Sequence, residues 1–149
     1  MEHYTNRDRA QRNKNSDSPG LGQSCIGFSF GRTVHRSLDG IEDYSHLVVI
    51  FWMDQAGPPK SLKGHVQSRE DLPVAGLFAR RGPSRPNPIG VTAVPLLGRE
   101  KNILRVQGVD AIDGTPLIDI KPYTPAFDNI ENAGVPEWCK RVYEIENYF

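Results

Sequence analysis

The sequence is short of cysteine, of histidine and of net charge, and each shortage removes a class of function. Two cysteines, Cys25 and Cys139, stand far apart with no CxxC pair, and the four histidines are scattered. Zinc sites need ligands at close, repeated spacings, so no metal is expected and the thiols read as buried or incidental. Lysine plus arginine (18) balance aspartate plus glutamate (18). A neutral chain is not a global nucleic-acid binder, and any such role needs a local basic patch. No apolar run approaches the roughly 18 residues of a membrane span. The opening MEHYTNRDRAQRNKNSDSPG lacks the apolar stretch of a signal peptide, so a cytoplasmic location with no membrane partner is expected. Missing too are GxGxxG after a strand, a Walker loop, HExxH and GxSxG. That leaves no Rossmann-held nucleotide and no marked covalent nucleophile.

What is present is ordinary in amount and unusual in arrangement. A chain of 149 residues, 38% hydrophobic and 24% charged, suits one soluble domain with a modest core. Its 14 glycines and 12 prolines favour a turn-rich, mainly β architecture. Residues 1–18 are polar and read as a flexible arm. CIGFSF (25–30) could be a short strand within a Gly- and Ser-rich stretch, and LDGIEDYSH (38–46) reads as a turn or short helical turn. HLVVIFWM (46–53) is a continuous apolar, β-branched and aromatic run, which predicts a buried central strand. VAGLFARRG (74–82) and IGVTAVPLLGRE (89–100) predict two strands joined by a proline-rich loop. NILRVQGVDAI (102–112) predicts a hairpin partner for the second of them, and Asp113-Gly114 starts a further strand at DGTPLIDIKPY. Only VPEWCKRVYEIENYF (135–149) has helical spacing, with Trp138, Val142 and Ile145 on one stripe. The expected fold is a small antiparallel β-barrel, closed or strongly curved, with a short C-terminal helix.

Chemistry concentrates in the loop RRGPSRPNP. Three arginines (Arg80, Arg81, Arg85) and three prolines fall within nine positions, 80–88, beside Asn87. Proline fixes φ and restricts the residue before it, so the loop is stiff and can hold guanidinium groups for a phosphate, a carboxylate or a base edge. A proline-rich corner with solvated arginines is the bland alternative. Lys60, Lys63, His65 and Arg69 add a local basic stretch, either a solvated face or part of a phosphate-tracking surface. Asp54 and Gln55 close the most apolar strand, where polar residues line a ligand site or merely end the strand. Asp113 reads as a turn residue. Asp110 and Asp119 are open to a ribose hydroxyl, a cationic partner or plain surface.

Three blocks carry a resemblance: LDGIEDYSHLVVIFW, GLFARRGPSRPNPIGVTAV and GVDAIDGTPLIDIKPYTP. In this order and spacing they resemble the TsaA-like, or TrmO, family of tRNA N6-methyladenosine methyltransferases over residues 38–126. The resemblance implies a compact β-barrel, a homodimer and S-adenosyl-L-methionine held outside any Rossmann fold. It further implies methylation of N6 of threonylcarbamoyl-adenosine beside the tRNA anticodon. Carried onto this chain, the cofactor residues are Asp54, Gln55, Arg81, Val91 and Gln107, Gly108, Val109 and Asp110. Asn87, Asp119, Lys121 and Tyr123 become the catalytic candidates, and Arg80, Arg85, Lys60 and Lys63 the substrate contacts. Asp54 stands where the family usually has histidine. Residues 1–37 match the family's opening strand poorly, with SPGL (18–21) as its nearest trace, which sets them apart as an arm from a barrel domain at 38–149. Two alternatives stand beside the enzyme: a catalytically impaired cofactor- or RNA-binding module, and a methyltransferase acting on a different amine.

Overall fold

A computed structural model describes residues 10–11, 25–30 and 35–145. Most of the arm read at 1–18, and the SPGL trace, lie outside them. Among the described residues there are eight strands: β1 (Ala10–Gln11), β2 (Cys25–Ser29), β3 (His46–Trp52), β4 (Lys63–His65), β5 (Val74–Gly76), β6 (Ile89–Glu100), β7 (Ile103–Gln107) and β8 (Leu117–Pro122). Two helices follow, α1 (Pro125–Asp128) and α2 (Glu137–Ile145). The chain divides into two compact units, Met1–Ala56 with Asn87–Tyr123, and Gly57–Pro86 with Thr124–Phe149.

The first unit is built on one antiparallel sheet in the order β1-β2-β7-β6-β3-β8. Among the described residues β1 and β8 do not pair, so of the two expected geometries it is the open, curled one, a half-barrel. The curl comes from β6, which pairs with β3 along Ile89–Pro95 and with β7 along Leu96–Glu100. Proline at 95 donates nothing to a ladder, and the extra residue Leu97 forms a bulge opposite β7. The hairpin to β7 turns on Lys101 and Asn102, with Lys101 in the left-handed region at φ 54°.

β3 is central, as its sequence predicts, but it alternates rather than being buried on both faces. Leu47, Val49 and Phe51 face the core, while Val48 and Ile50 on the other face are half-buried. Against them pack Ile26, Phe28, Val94, Leu104, Val106 and Val109. Each fully buried aliphatic or aromatic side chain contributes about 1.5–3 kcal/mol, so this layer holds the unit together. β2, inside the stretch read as an arm, therefore supplies core residues. Its continuation is clamped by the hairpin turn: Phe30 N–H donates to Asn102 O at 2.9 Å, and Asn102 Nδ2 donates back to Phe30 O.

Position 90 explains one glycine. Gly90 lies opposite Phe51 in the β3–β6 ladder, and a Cβ there would overlap the Phe51 ring. Arg99, only 12% exposed, ties β6 to the turns before β3. It donates to Leu38 O at 2.9 Å, Asp39 Oδ1 at 2.9 Å and Glu42 Oε2 at 3.0 Å. Both carboxylates support the guanidinium and push Arg99 upward. Glu42 is held below its usual range, first by a backbone hydrogen bond and then by Arg99.

In the second unit β4 and β5 form a separate two-stranded sheet. The strand expected over 74–82 is therefore corrected: it ends at Gly76, pairs with β4 rather than β6, and gives way to a 3-10 turn at Leu77–Ala79. The prolines at 83, 86 and 88 cannot donate to a ladder, which keeps this segment out of the main sheet. The helix predicted at the C-terminus is α2, and its Val142 and Trp138 pack with Val66, Leu72 and Ala75. No helix among the described residues is long and apolar enough to cross a membrane, and none of their His, Cys, Asp and Glu residues cluster as a metal site.

Candidate functional site

The three sequence blocks meet at the end of β3. Trp52 N–H donates to Pro116 O at 2.9 Å, and Met53 N–H donates to Pro88 O at 2.8 Å. The strand end is thus bracketed on one side by the DGTP turn and on the other by the RPNP loop. Both prolines accept through their carbonyls, the only backbone hydrogen-bonding group a proline keeps. Asp54 and Gln55 follow directly and are exposed, and Asn87, also exposed, precedes Pro88. A turn closes each flank: Ile89 N–H donates to Asn87 O at 2.8 Å, and Thr115 N–H donates to Ile112 O at 3.0 Å, with Gly114 left-handed at φ 82°. Asp113 accordingly sits in the turn its sequence predicts.

The face of β6–β3–β8 turned away from the core carries the next group. Val91 and Asp119 flank Ile50 from opposite sides, and Ala93 and Lys121 flank Val48 one step along. Trp52, Ile89 and Val91 leave an apolar strip open to solvent there. At the far end the Tyr123 and His46 rings lie 6.3 Å apart, and Tyr123 N–H donates to His46 O. The register therefore brings Val91, Asp119, Lys121 and Tyr123 onto one surface.

Asp119 has two partners of its own. Its carboxylate accepts Ile120 N–H at 2.9 Å and the Lys121 ammonium at 2.7 Å, which raises Lys121 above its ordinary value. Of the readings open for Asp119, the cationic partner is the one observed. Ile120 N–H points off the open edge of the sheet, and Pro122 next to it on that edge has no N–H. Two donors on that edge are thereby withdrawn from any further strand.

Gln107 ends β7 opposite Cys25, and Gly108 turns the chain at φ 81°. Val109 is buried in the core, so this segment can offer a ligand the side chains of Gln107 and Asp110 and the backbone between them. The basic candidates belong to the second unit. Lys60 and Lys63 are exposed. Arg80 lies across Gly64 and donates to His65 O at 3.1 Å. Arg85 donates to Leu77 O at 3.3 Å and to Arg80 O at 2.7 Å, and its guanidinium stacks 5.2 Å from the Phe78 ring centre. Arg81 is exposed. The loop is stiffened by its own arginines as well as by its prolines. The stacking of Arg85 on Phe78 and the packing of Phe51 against Gly90 were not legible in the sequence; an aromatic residue beside a run of arginines was the signal for the first.

The chain is similar to a known family and to several known proteins. The sequence profile of the family described as tRNA-methyltransferase O N-terminal domain matches residues 11–129. A probable S-adenosyl-L-methionine-binding protein of Pyrococcus abyssi is 44% identical over 111 residues, covering 74% of this chain and 59% of that protein. A tRNA (adenine(37)-N6)-methyltransferase of Homo sapiens is 39% identical over 102 residues, 68% of this chain and 23% of its own length. The crystal structure of TrmO from Pseudomonas aeruginosa superposes with a TM-score of 0.61 at 33% identity, over 74% of this chain and 47% of that one. The chain thus spans less than two thirds of the length of each of these relatives.

Proposed function

This chain belongs to the tRNA-methyltransferase O N-terminal domain family, and from that membership we propose that it methylates tRNA with S-adenosyl-L-methionine as donor. The acceptor is N6 of threonylcarbamoyl-adenosine beside the anticodon. The observation that carries the proposal is the junction at the end of β3, where the blocks of the family resemblance are joined by the Met53–Pro88 and Trp52–Pro116 hydrogen bonds. The residues there suit the cofactor chemically. Trp52, Ile89 and Val91 offer an apolar surface for a flat ring. Asp54 and Gln55 offer oxygens for ribose hydroxyls or an ammonium group.

When bound, S-adenosyl-L-methionine supplies a methyl group already activated on a sulfonium sulfur. The protein's task is then orientation and exclusion of water. Transfer of that methyl from sulfur to N6 would require the nitrogen to give up its proton. Asn87 would accept a hydrogen bond from that N–H through its amide oxygen and so turn the nitrogen toward the donor, with the proton passing to water. Asp119 is less available for this role because Ile120 N–H and Lys121 already occupy its carboxylate. Of the loop arginines, Arg81 suits a phosphate or the threonyl carboxylate, bidentately where geometry permits, while the Arg80 and Arg85 guanidiniums bond backbone carbonyls. An anticodon-loop base is already partly unpaired, which lowers the cost of presenting it. A homodimer and a cytoplasmic location belong to the same proposal, the first measurable by sedimentation.

The test is transfer of labelled methyl from S-adenosyl-L-methionine to tRNA with and without the threonylcarbamoyl group. Methylation confined to the modified tRNA supports the proposal. Methylation of both points to a different amine acceptor. Cofactor binding by calorimetry without any transfer refutes the enzyme and leaves a binding module.

A further inference from the structure

Phe78 is 77% exposed on the 3-10 turn Leu77–Ala79, in the middle of the most basic segment of the chain. Residues 57–86 hold six lysines and arginines against two acidic residues. An exposed phenylalanine is unremarkable when it is mobile and isolated, and this one is neither. Leu77, its neighbour, is buried and donates its N–H to Leu62 O at 2.9 Å, which pins the turn to the residue before β4 and leaves the next side chain exposed. The Arg85 guanidinium covers one face of the ring at 5.2 Å and is itself fixed by the Leu77 and Arg80 carbonyls. What remains is one open aromatic face, rigidly presented and backed by a cation.

We propose that Phe78 is a stacking platform for an unpaired base of the RNA substrate, with Arg85 as its positioning residue. The inference rests on the proposed tRNA substrate and adds a recognition element to it. Single-stranded RNA is held by a basic surface that follows phosphates and by aromatic faces that take the bases, and the two occur together here. A platform whose ring and backing guanidinium are already held loses little freedom on binding. The phosphate contacts are left to Lys60, Lys63 and Arg81, all exposed in the same segment.

The experiment measures binding of an anticodon stem-loop RNA by fluorescence anisotropy over a salt series, with S-adenosyl-L-methionine titrated separately. Phe78→Ala is expected to weaken RNA binding by about 5- to 150-fold, the range for loss of one stacked base. It should leave the slope of log Kd against log salt unchanged, because no phosphate contact is removed. Phe78→Leu, which keeps an apolar side chain but no ring, should behave like alanine, and Phe78→Trp should restore binding. Unchanged RNA affinity in Phe78→Ala, or full restoration by leucine, overturns the platform. A parallel loss of cofactor affinity also overturns it and assigns the ring to the donor's adenine. Failure of the parent protein to bind RNA overturns both this inference and the proposed function. RNA binding by the parent that Phe78→Ala leaves intact overturns this inference alone.

Discussion

Gly90→Ala adds one methyl group where the Phe51 ring lies against the β6 backbone, and the structure permits its cost to be worked out. The new Cβ would overlap the ring edge, and Phe51 is buried in the main core, so the ring cannot swing into solvent. Overpacking of this kind costs about 1–3 kcal/mol. Against it stands the usual gain from replacing glycine, about 0.4–1 kcal/mol through the unfolded chain. That gain applies here because Gly90 is not among the residues with positive φ. The steric term wins, leaving a net loss of about 1–2 kcal/mol. At roughly 4 °C per kcal/mol for a chain of this size, Tm should fall by about 4–8 °C. Urea titration checks it: the midpoint should drop with the m-value unchanged. The mechanism is isolated by a double-mutant cycle with Phe51→Leu, whose smaller side chain leaves room for the methyl group. In that background Gly90→Ala should cost nothing measurable. A Gly90→Ala protein as stable as its parent, or the same loss in both backgrounds, refutes the packing argument.

Asp119→Ala should uncover Ile120 N–H on the open edge of β8 and produce concentration-dependent association, read by light scattering; a protein that stays unassociated shows that the carboxylate does not guard the edge. Asp119→Asn removes the charge beside Lys121, so the lysine should fall back toward its ordinary value of 10.5, followed by NMR. Since the folded-state value of Lys121 is raised, its contribution to stability is full below that ordinary value and is lost as pH rises through the folded one. Glu42 has the opposite sign. It is held low, so its contribution is present above its ordinary value of 4.5 and is lost as pH falls through the depressed one. Arg99→Met should lower the unfolding midpoint and move Glu42 only part of the way back, because the backbone hydrogen bond remains; a full return to 4.5 would contradict the order of causes.

Much of the secondary structure is local information. The apolar run of β3, the tight β6–β7 connection, the Asp113-Gly114 turn into β8 and the stripe of α2 each declare themselves within a dozen residues, through side-chain alternation and turn chemistry. The blocks of the family resemblance were equally visible as sequence. Tertiary structure alone decided which residues meet. CIGFSF left loop and short strand both open because glycine and serine surround it, and pairing with β7 and the Asn102 clamp make it core. VAGLFARRG has the composition of a strand, yet its ladder partner is β4 and its second half is a turn. Arg99 finds Asp39 and Glu42 some 60 and 57 residues away, and no local pattern announces such a pair. In the same way the junction of Pro88 and Pro116 at the end of β3, and the cover of Arg85 over Phe78, depend on backbone register and loop path. Local propensities determine where elements start and stop, but faces and neighbours follow from burying a core within each unit, which draws on residues far apart in the chain.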